Sequence, residues 1–257
     1  MTPAQAIVAK EVRSAFASPI VYVVGAMFFL IFGLASFLYV KAAGIRAIQL
    51  IQIQGMAAQI NLNDLVFRQI FYFLEIWILL PLLPILTMRV FAEERKLRTF
   101  ELLMTSPVGI NEIIAGKFVA VLLIYAGMLA MTGVVPVVLA MFNSFDWAPV
   151  FTGYLGLTLL GALFLATGVF ASALTENQIV AVLLSYGLLL LVILLAVFGA
   201  VLGDTPVGNT ISYLSFHEHY DRLVRGLVDT KDLVYFACGI LFMLFLTHRV
   251  VESHRWK

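Results

Sequence analysis

Charged residues and cysteine are the scarcest groups in this sequence. Asp, Glu, Lys and Arg together make up 12% of the 257 residues, about half of the share in a typical soluble domain. The charges nearly cancel, with a formal net charge of +1, which argues against nucleic acid as a partner. The single cysteine, Cys238, excludes a disulfide framework within the chain and a metal site built from several cysteines.

Apolar residues, in contrast, make up 62% of the chain, and the mean hydropathy is +1.03. No soluble domain of this length can bury so much apolar surface, so lipid must cover part of it. Six runs approach or exceed the length of about 20 apolar residues that crosses a bilayer core. They lie at residues 20–40, 71–90, 118–142, 151–174, 179–202 and 233–251. We therefore predict an all-α, polytopic membrane protein with one transmembrane domain over residues 1–257.

The distribution of lysine and arginine predicts which side of the membrane holds the chain ends. Six spans place both ends on the same side. If that side is the cytoplasm, ten Lys and Arg residues fall in inner segments and six in outer segments, which is the bias that the positive-inside rule describes. We therefore predict a multi-pass protein of the cytoplasmic (inner) membrane with both termini in the cytoplasm.

A short amphipathic helix is predicted before the first span. Pro3 stands at a favoured first helical position. Apolar side chains then recur on one helical face, at Ala4, Val8, Val12 and Phe16. Such a helix fits the inner membrane interface, and a plain juxtamembrane extension is the alternative.

The polar segment before the last span is predicted to hold an outer amphipathic helix. Ser215 and Glu218 have the spacing of a capping box, and Gly226 lies where such a helix would end. His217 and His219 flank Glu218, but residues two apart on a helix project in different directions. The three residues also do not form the His-Glu-x-x-His zinc motif. We therefore expect a solvated helix face there, and no metal site in the chain.

The segment between the second and third spans, residues 88–117, concentrates charge just beyond the membrane. Glu94 and Arg98 have the i, i+4 spacing of a helical ion pair. Thr99 can cap a second, short helix, which Ser106-Pro107 would end. A short amphipathic helix of this kind is suited to docking into a groove of a partner protein, and a solvated loop is the alternative.

This segment resembles the core signature of the type-2 ABC exporter permeases. The specific part is Glu-Glu-Arg at residues 93–95, a threonine at 99, Glu-Leu-Leu at 101–103 and Ser-Pro at 106–107. The nearest likeness is to the gliding-motility-associated ABC transporter permease subunits, and residues 10–19, 172–181 and 225–229 agree with it in order. Two positions depart from the family pattern: Arg98 stands where glycine is usual, and Gly109 stands where Ser or Thr usually opens a capping box.

The resemblance implies a membrane-spanning permease subunit of an ATP-driven exporter, without an ATPase site of its own. It also implies a separate ABC ATPase that binds ATP and Mg, an assembly of two ATPase and two permease subunits, and in some relatives a membrane-anchored accessory subunit. The family's cytoplasmic coupling helix lies between spans two and three. Its ATPase-coupling residues correspond here to Glu93, Glu94, Arg95, Thr99, Glu101, Leu102, Leu103, Ser106 and Pro107.

The sequence itself also indicates that this chain is not the ATPase subunit. The sequence contains no Gly-x-x-x-x-Gly-Lys-Ser/Thr phosphate-binding motif. Gly116-Lys117 lacks the first glycine at the required spacing and the Ser or Thr that should follow, so this pair is predicted to mark only the cytoplasmic entry of the third span. The spans also hold no set of ionisable and nucleophilic residues of the kind that an intramembrane enzyme needs.

Glu75 is the acidic residue that lies well inside an apolar run. Charges within a membrane are costly and often functional. Glu75 is therefore predicted either to line a translocation path or to make a structural polar contact, for which Arg68 is a candidate partner. One such residue is few for a secondary transporter. A non-transporting membrane anchor or mechanotransmitting scaffold for the ATPase is the main alternative to a transporting permease.

Overall fold

Helices occupy every apolar run of the sequence. The computed structural model describes residues 3–54, 63–100, 108–142, 144–203 and 205–253, and these ranges hold helices and turns but no strand. The α-helices are α1 (Pro3–Ala17), α2 (Pro19–Gln54), α3 (Arg68–Phe73), α4 (Leu80–Thr87), α5 (Ala92–Lys96), α6 (Ile110–Thr132), α7 (Val134–Ala140), α8 (Trp147–Leu174), α9 (Gln178–Leu202), α10 (Pro206–Leu214), α11 (Phe216–Val224) and α12 (Thr230–Ser253). The all-α prediction is confirmed.

Six helical segments within the described ranges are long and apolar enough to cross a membrane. They are Pro19–Ile53, Asn63–Lys96, Ile110–Ala140, Trp147–Leu174, Gln178–Gly199 and Thr230–Ser253. Each overlaps one of the six predicted runs, so the prediction of a polytopic, six-span protein is confirmed. Most of the helices extend past the apolar residues, because a helix continues into polar sequence wherever no strong breaker stops it.

The first span shows this extension most clearly. Its apolar run was predicted to end at Val40, yet α2 continues to Gln54. Lys41 and Arg46, which interrupt the hydropathy, are good helix formers, and Gly44 alone is not enough to stop a helix of this length. The stretch before Gln54, which alternates apolar residues with glutamine in part, is therefore helical.

The second span is irregular along its length. It contains π-helical turns at Asn63–Phe67 and Leu74–Leu79, on either side of α3. Pro81 and Pro84 follow in α4 and cannot donate the backbone hydrogen bonds of a regular helix. The π-helical turn directly before these prolines shifts the backbone hydrogen-bond register. This shift accommodates the two backbone N–H groups that the prolines lack. Glu75 lies within this second π-helical turn.

Helix α8 forms the centre of the bundle and contacts most of the other spans. Gly153 and Gly168 allow the second span to lie close to it, because an added Cβ would overlap Phe71 at the first position and Thr87 at the second. The second span thus follows α8 from end to end. We call the end of the bundle that carries α1 and α5 the α1 side, and the opposite end, which carries α10 and α11, the α11 side.

Candidate functional site

On the α1 side, one hydroxyl fixes the end of the second span to the end of α8. Ser172 accepts hydrogen bonds from the backbone N–H groups of Phe91 and Ala92, at 3.0 and 3.1 Å. It donates its own proton to the backbone carbonyl of Met88, at 3.0 Å. Because this buried turn between α4 and α5 is bonded to α8, the charged segment that follows starts from a fixed position.

Lys117 lies at the centre of this side. Its Nζ is 2.8 Å from Glu11 Oε1, 2.9 Å from Glu94 Oε1 and 2.8 Å from the carbonyl oxygen of Val90. It also lies 5.2 Å from the centre of the Phe91 ring. The lysine side chain is only 2% exposed. One buried ammonium group therefore joins α1, α5 and α6, which are distant in the sequence.

The sequence predicts Lys117 only as the entry of the third span. It does not predict the buried position of Lys117 between Glu11 and Glu94. A buried ammonium group needs paired charge and hydrogen bonds to offset its lost hydration. The available signal was that Glu11 and Glu94 both belong to segments predicted on the same side of the membrane as Lys117. Nothing in their spacing indicates that all three meet.

The other predicted coupling residues of this side also contact the bundle. Arg95 donates to the carbonyl of Ala173 at 2.7 Å and lies 3.7 Å from Glu176. Glu93 is more exposed, and its Oε2 lies 3.8 Å from Nε of Arg89. Arg95 thus adds a second connection between α5 and the end of α8, while Glu93 pairs with Arg89 at the end of the second span.

Helix α5 ends in a Schellman motif, with Arg98 in the left-handed region at φ 56°. The N–H of Thr99 bonds to the carbonyl of Glu94 at 3.0 Å, and the N–H of Arg98 to that of Arg95 at 3.1 Å. This geometry explains why the resembling family has glycine at this position, since only glycine adopts a positive φ without strain. The predicted ion pair between Glu94 and Arg98 was wrong, because the helix has already ended and Glu94 pairs with Lys117.

The predicted coupling helix is only partly within the described ranges. Of the predicted helix, residues 99–105, only Thr99 and Phe100 are described, and Thr99 is not helical, so the helix itself stays a prediction. The Thr99 hydroxyl donates backward to the carbonyl of Glu94, at 3.3 Å. Glu101, Leu102, Leu103, Ser106 and Pro107 lie outside the described residues. The third span then begins after Gly109, which occupies the N-cap position with an extended backbone, as predicted.

On the α11 side, Glu75 pairs with His217 rather than with Arg68. Glu75 Oε1 lies 3.0 Å from His217 Nδ1, and the carboxyl is only 1% exposed. The hydrogen bond with Glu75 raises the pKa of the His217 imidazole above its usual value, and this outweighs the opposing effect of partial burial. A cavity of about 180 Å³ beside this pair is lined by the second span, α9 and the start of α11.

Arg68 instead contacts Asp221 of α11, at 3.5 Å, and Arg225 contacts the same carboxylate at 2.8 Å. The Tyr72 hydroxyl also donates to Asp221. Burial alone would raise the pKa of Asp221, but the hydrogen bonds from Tyr72 and Arg225 hold it below its usual value. Tyr220, on the apolar face of α11, is fully buried and donates to the carbonyl of Phe71 at 2.9 Å. The predicted amphipathic helix is therefore present, and its apolar face packs into the bundle.

The expectation of a solvated face for both histidines was wrong for His219. This residue is fully buried, and its Nδ1 lies 2.7 Å from Asp232 of α12. Arg222 lies 2.5 Å from the same carboxylate oxygen. His219 Nε2 is 3.0 Å from the carbonyl of Tyr213, and the His219 ring stacks on Tyr235. Among the described residues, no group of His, Cys, Asp and Glu is arranged to hold a metal ion.

Comparison with known proteins gives one family. A family model described as "ABC-2 family transporter protein" matches residues 5–251, from the start of α1 into the last turns of α12. A search of curated proteins found no match. The matched region contains both polar networks described above.

Proposed function

The chain belongs to the ABC-2 transporter family, and we propose that it is the membrane-spanning permease subunit of an ATP-driven exporter. Membership of this family implies an ABC ATPase as its partner, and the membrane subunit of such a transporter is typically not catalytic. In this proposal the partner ATPase binds ATP and Mg, and the segment around α5 transmits the motion of the ATPase to the membrane spans.

The observation that carries the proposal is the buried position of Lys117. The segment that the resemblance assigns to ATPase coupling is joined to α1 and α6 through this lysine, and to α8 through Ser172 and Arg95. In this proposal, a displacement of α5 is therefore transmitted through these contacts to the ends of the second, third and fourth spans. A solvated loop would not need a buried lysine or these hydrogen bonds.

The finer features of the proposal come from the resemblance. Two copies of this chain would work with two ATPase subunits, and the likeness to gliding-motility permeases adds a membrane-anchored accessory subunit. Both termini would lie in the cytoplasm, with α1 at the inner face of the cytoplasmic membrane. A reporter fused after residue 257 that is active only outside the cytoplasm would contradict this orientation.

The ATPase contact is tested with two acidic substitutions in the coupling segment. The double variant Leu102→Asp, Leu103→Asp is expected to abolish copurification of the ATPase, since one buried anchor of an interface contributes about 2 kcal/mol or more. The matched control, Leu227→Asp with Val228→Asp, changes two exposed apolar residues on the α11 side and should leave copurification unchanged. Wild-type yield of the ATPase with the first variant would contradict the assignment of the coupling helix.

Glu75 remains the candidate residue of the translocation path. In the proposal its pair with His217 closes the path on the α11 side, next to the cavity between the second span and α9. Glu75→Gln preserves most hydrogen bonding and is expected to keep the complex assembled while changing its transport-coupled ATP turnover. Unchanged turnover and transport would identify the pair as a structural contact only. ATP hydrolysis without any transport in the reconstituted wild-type complex would favour the scaffold alternative.

A further inference from the structure

A cavity of about 320 Å³ opens on the α1 side, between α1, the start of α2, the end of the second span and α6. Its lining is mixed. Glu11, Ser18, Arg89 and Glu93 contribute polar groups, and the deeper residues of the second span and α6, such as Leu86 and Ile124, are apolar. The volume is at the lower end of the range of about 300–1,000 Å³ for small-molecule pockets. It is large enough for a lipid headgroup and too small for a whole lipid.

An apolar groove continues from this cavity into the membrane. It has a volume of about 470 Å³, lies between α2 and α6, and shares Val21 and Ile124 with the first cavity. From Val21 to Phe29 it follows α2 for about 12 Å at 1.5 Å per residue, most of one leaflet of a hydrocarbon core about 30 Å thick. Gly25 and Gly127 line the groove, and an added Cβ on either would meet no atom within 4 Å. The described side chains therefore leave this groove open.

The charges of the cavity favour one kind of headgroup. Arg89 donates to the Ser18 hydroxyl at 2.8 Å, but its Nε is buried without a hydrogen-bond partner among the described residues. The Glu93 carboxylate lies 3.8 Å from that Nε, beyond hydrogen-bond distance. Arg89 and Glu93 thus line the same cavity as an ion pair whose charges attract each other without sharing a hydrogen bond. The carboxylate of Glu11 is already paired with Lys117 and adds negative charge nearby.

A ligand that complements this pair carries a phosphate and a primary ammonium group a few ångströms apart. An anionic headgroup such as glycerol phosphate would meet two carboxylates, Glu11 and Glu93, and one arginine among the described lining residues. A choline headgroup has no N–H to donate to Glu93. Phosphoethanolamine satisfies both partners, and charge-assisted hydrogen bonds of this kind are the stronger ones in proteins.

We propose that this site binds one phosphatidylethanolamine molecule. Arg89 and Ser18 hold the phosphate, Glu93 holds the ammonium group, and one acyl chain fills the groove between α2 and α6. The lipid thereby covers apolar surface that the described chain leaves open and joins α1 to the first and third spans. The inference rests on the two cavities and their charges and does not depend on the proposed function.

The test measures which lipids stay bound to the purified protein. Wild-type protein is reconstituted in bilayers of equal parts phosphatidylethanolamine, phosphatidylcholine and phosphatidylglycerol, extracted, and analysed by native mass spectrometry. Phosphatidylethanolamine is expected to be the retained lipid. Equal retention of the three lipids, or preference for phosphatidylglycerol, overturns the proposal.

Two groove variants and a matched control identify the site. Gly127→Leu and Gly25→Leu fill the groove and should each lower retention of phosphatidylethanolamine about tenfold, the factor that burial of about two methylene groups contributes. Gly187→Leu adds the same side chain at another open position, in α9, and should leave retention unchanged. If the groove variants retain as much phosphatidylethanolamine as this control, the acyl-chain site is excluded. If they alter only the oligomeric state, a second protein chain covers the groove and the proposal is overturned.

The headgroup contacts are tested separately. Arg89→Gln should lower retention about tenfold or more, as expected for loss of hydrogen bonds to a charged group, and Arg89→Lys should restore part of it. Glu93→Gln should remove the preference for phosphatidylethanolamine over phosphatidylcholine. If the preference survives Glu93→Gln, this carboxylate is not the partner of the ammonium group.

Discussion

The two sides of the bundle both bury charge, but they connect different parts of the chain. On the α1 side, Lys117 joins residues that are 106 and 23 positions away in the sequence, each in a different helix. On the α11 side, His219 and Arg222 pair with Asp232 at most 13 positions away, while Glu75 and Arg68 of the second span reach His217 and Asp221 over 142 and 153 positions. The first network therefore converges on one buried lysine, whereas the second is divided into a local cluster between α11 and α12 and separate pairs with the second span.

This difference has a mechanical consequence. A displacement of α5 on the α1 side must move α1 and α6 with it or break a buried ion pair. On the α11 side, α11 and the start of α12 form one unit, whose links to the second span are Glu75 with His217, Arg68 and Tyr72 with Asp221, and Tyr220 with the backbone. Each of these links joins a single pair of groups, whereas Lys117 contacts two carboxylates and a carbonyl at once, so we expect any one link to cost less to break than the contacts of Lys117.

The largest effect is expected from removing the central charge of the α1 side. Lys117→Met leaves Glu11 and Glu94 without their shared partner and should lower the free energy of unfolding by about 3 kcal/mol or more, as for other broken buried ion pairs. The measurement is thermal or denaturant unfolding of the purified protein in detergent. As a control, Lys231→Met removes an exposed pair with Asp229 and should have no measurable effect. Restoration of stability by adding Glu11→Gln and Glu94→Gln would confirm that the unpaired carboxylates are the cause.

A smaller effect is expected where the second span packs on α8. Gly168→Ala places a Cβ against the rigid side chain of Thr87 and should cost about 1–3 kcal/mol through overpacking. Adding Thr87→Ala should restore part of the loss. Gly187→Ala, at an open position of α9, serves as the control in the same unfolding measurement. Equal stability of the two single variants would show that the helices have room to separate.

Helix α11 ends in a Schellman motif like that of α5, since the N–H of Leu227 bonds to the carbonyl of Arg222 at 2.9 Å and the N–H of Gly226 to that of Leu223 at 3.1 Å. Helix α11 ends with Gly226 at φ 88°, whereas α5 ends with Arg98 at φ 56°. A non-glycine residue in this region costs about 1–2 kcal/mol. Arg98→Gly should therefore stabilise the protein by about 1 kcal/mol, and Gly226→Ala should destabilise it by a similar amount, with added crowding against Pro149. Destabilisation by Arg98→Gly would mean that the arginine side chain makes a contact that outweighs its backbone strain.

The smallest effect concerns His217 and pH. A free histidine has a pKa of about 6.5, and the pKa of His217 in the folded protein lies above it because of the Glu75 hydrogen bond. The stabilisation is therefore complete below about pH 6.5 and is lost as the pH rises through the folded-state pKa. Because His217 is 47% exposed, we expect about 1 kcal/mol or less.

The check is the difference in melting temperature between wild type and His217→Gln across pH. The difference should be largest on the acidic side and should close toward alkaline pH. Asp221 and Glu218 also act on His217 and favour its charged form, so both stay unchanged in the comparison. A difference that is constant with pH would show that the contact does not involve a protonated imidazole.

Hydropathy predicted the spans well because each needs only a long apolar run. The helix ends were less predictable, since α2 continues past Lys41 to Gln54. Local cap signals were more reliable. Ser215 accepts a hydrogen bond at the start of α11, and Gly226 ends that helix, as predicted.

The polar contacts between helices could not be predicted from the sequence. Arg68 was a sensible partner for Glu75 because both lie on the second span, yet His217 reaches Glu75 from α11. Periodicity locates side chains on one helix and carries no information on which helix packs beside it. The coupling segment shows the same limit, since the spacing paired Glu94 with Arg98, whereas Glu94 pairs with Lys117 of α6.

The position of Lys117 has a consequence for how the nascent chain is assembled. Synthesis proceeds from the N-terminus, so Glu11 and Glu94 enter the membrane region before the lysine does. An ammonium group without a counter-charge is costly to bury, so we expect the third span to reach its final position only after Glu11 and Glu94 are in place. A chain that lacks residues 1–16 keeps its third hydrophobic segment, and we expect that segment to insert at the wrong depth.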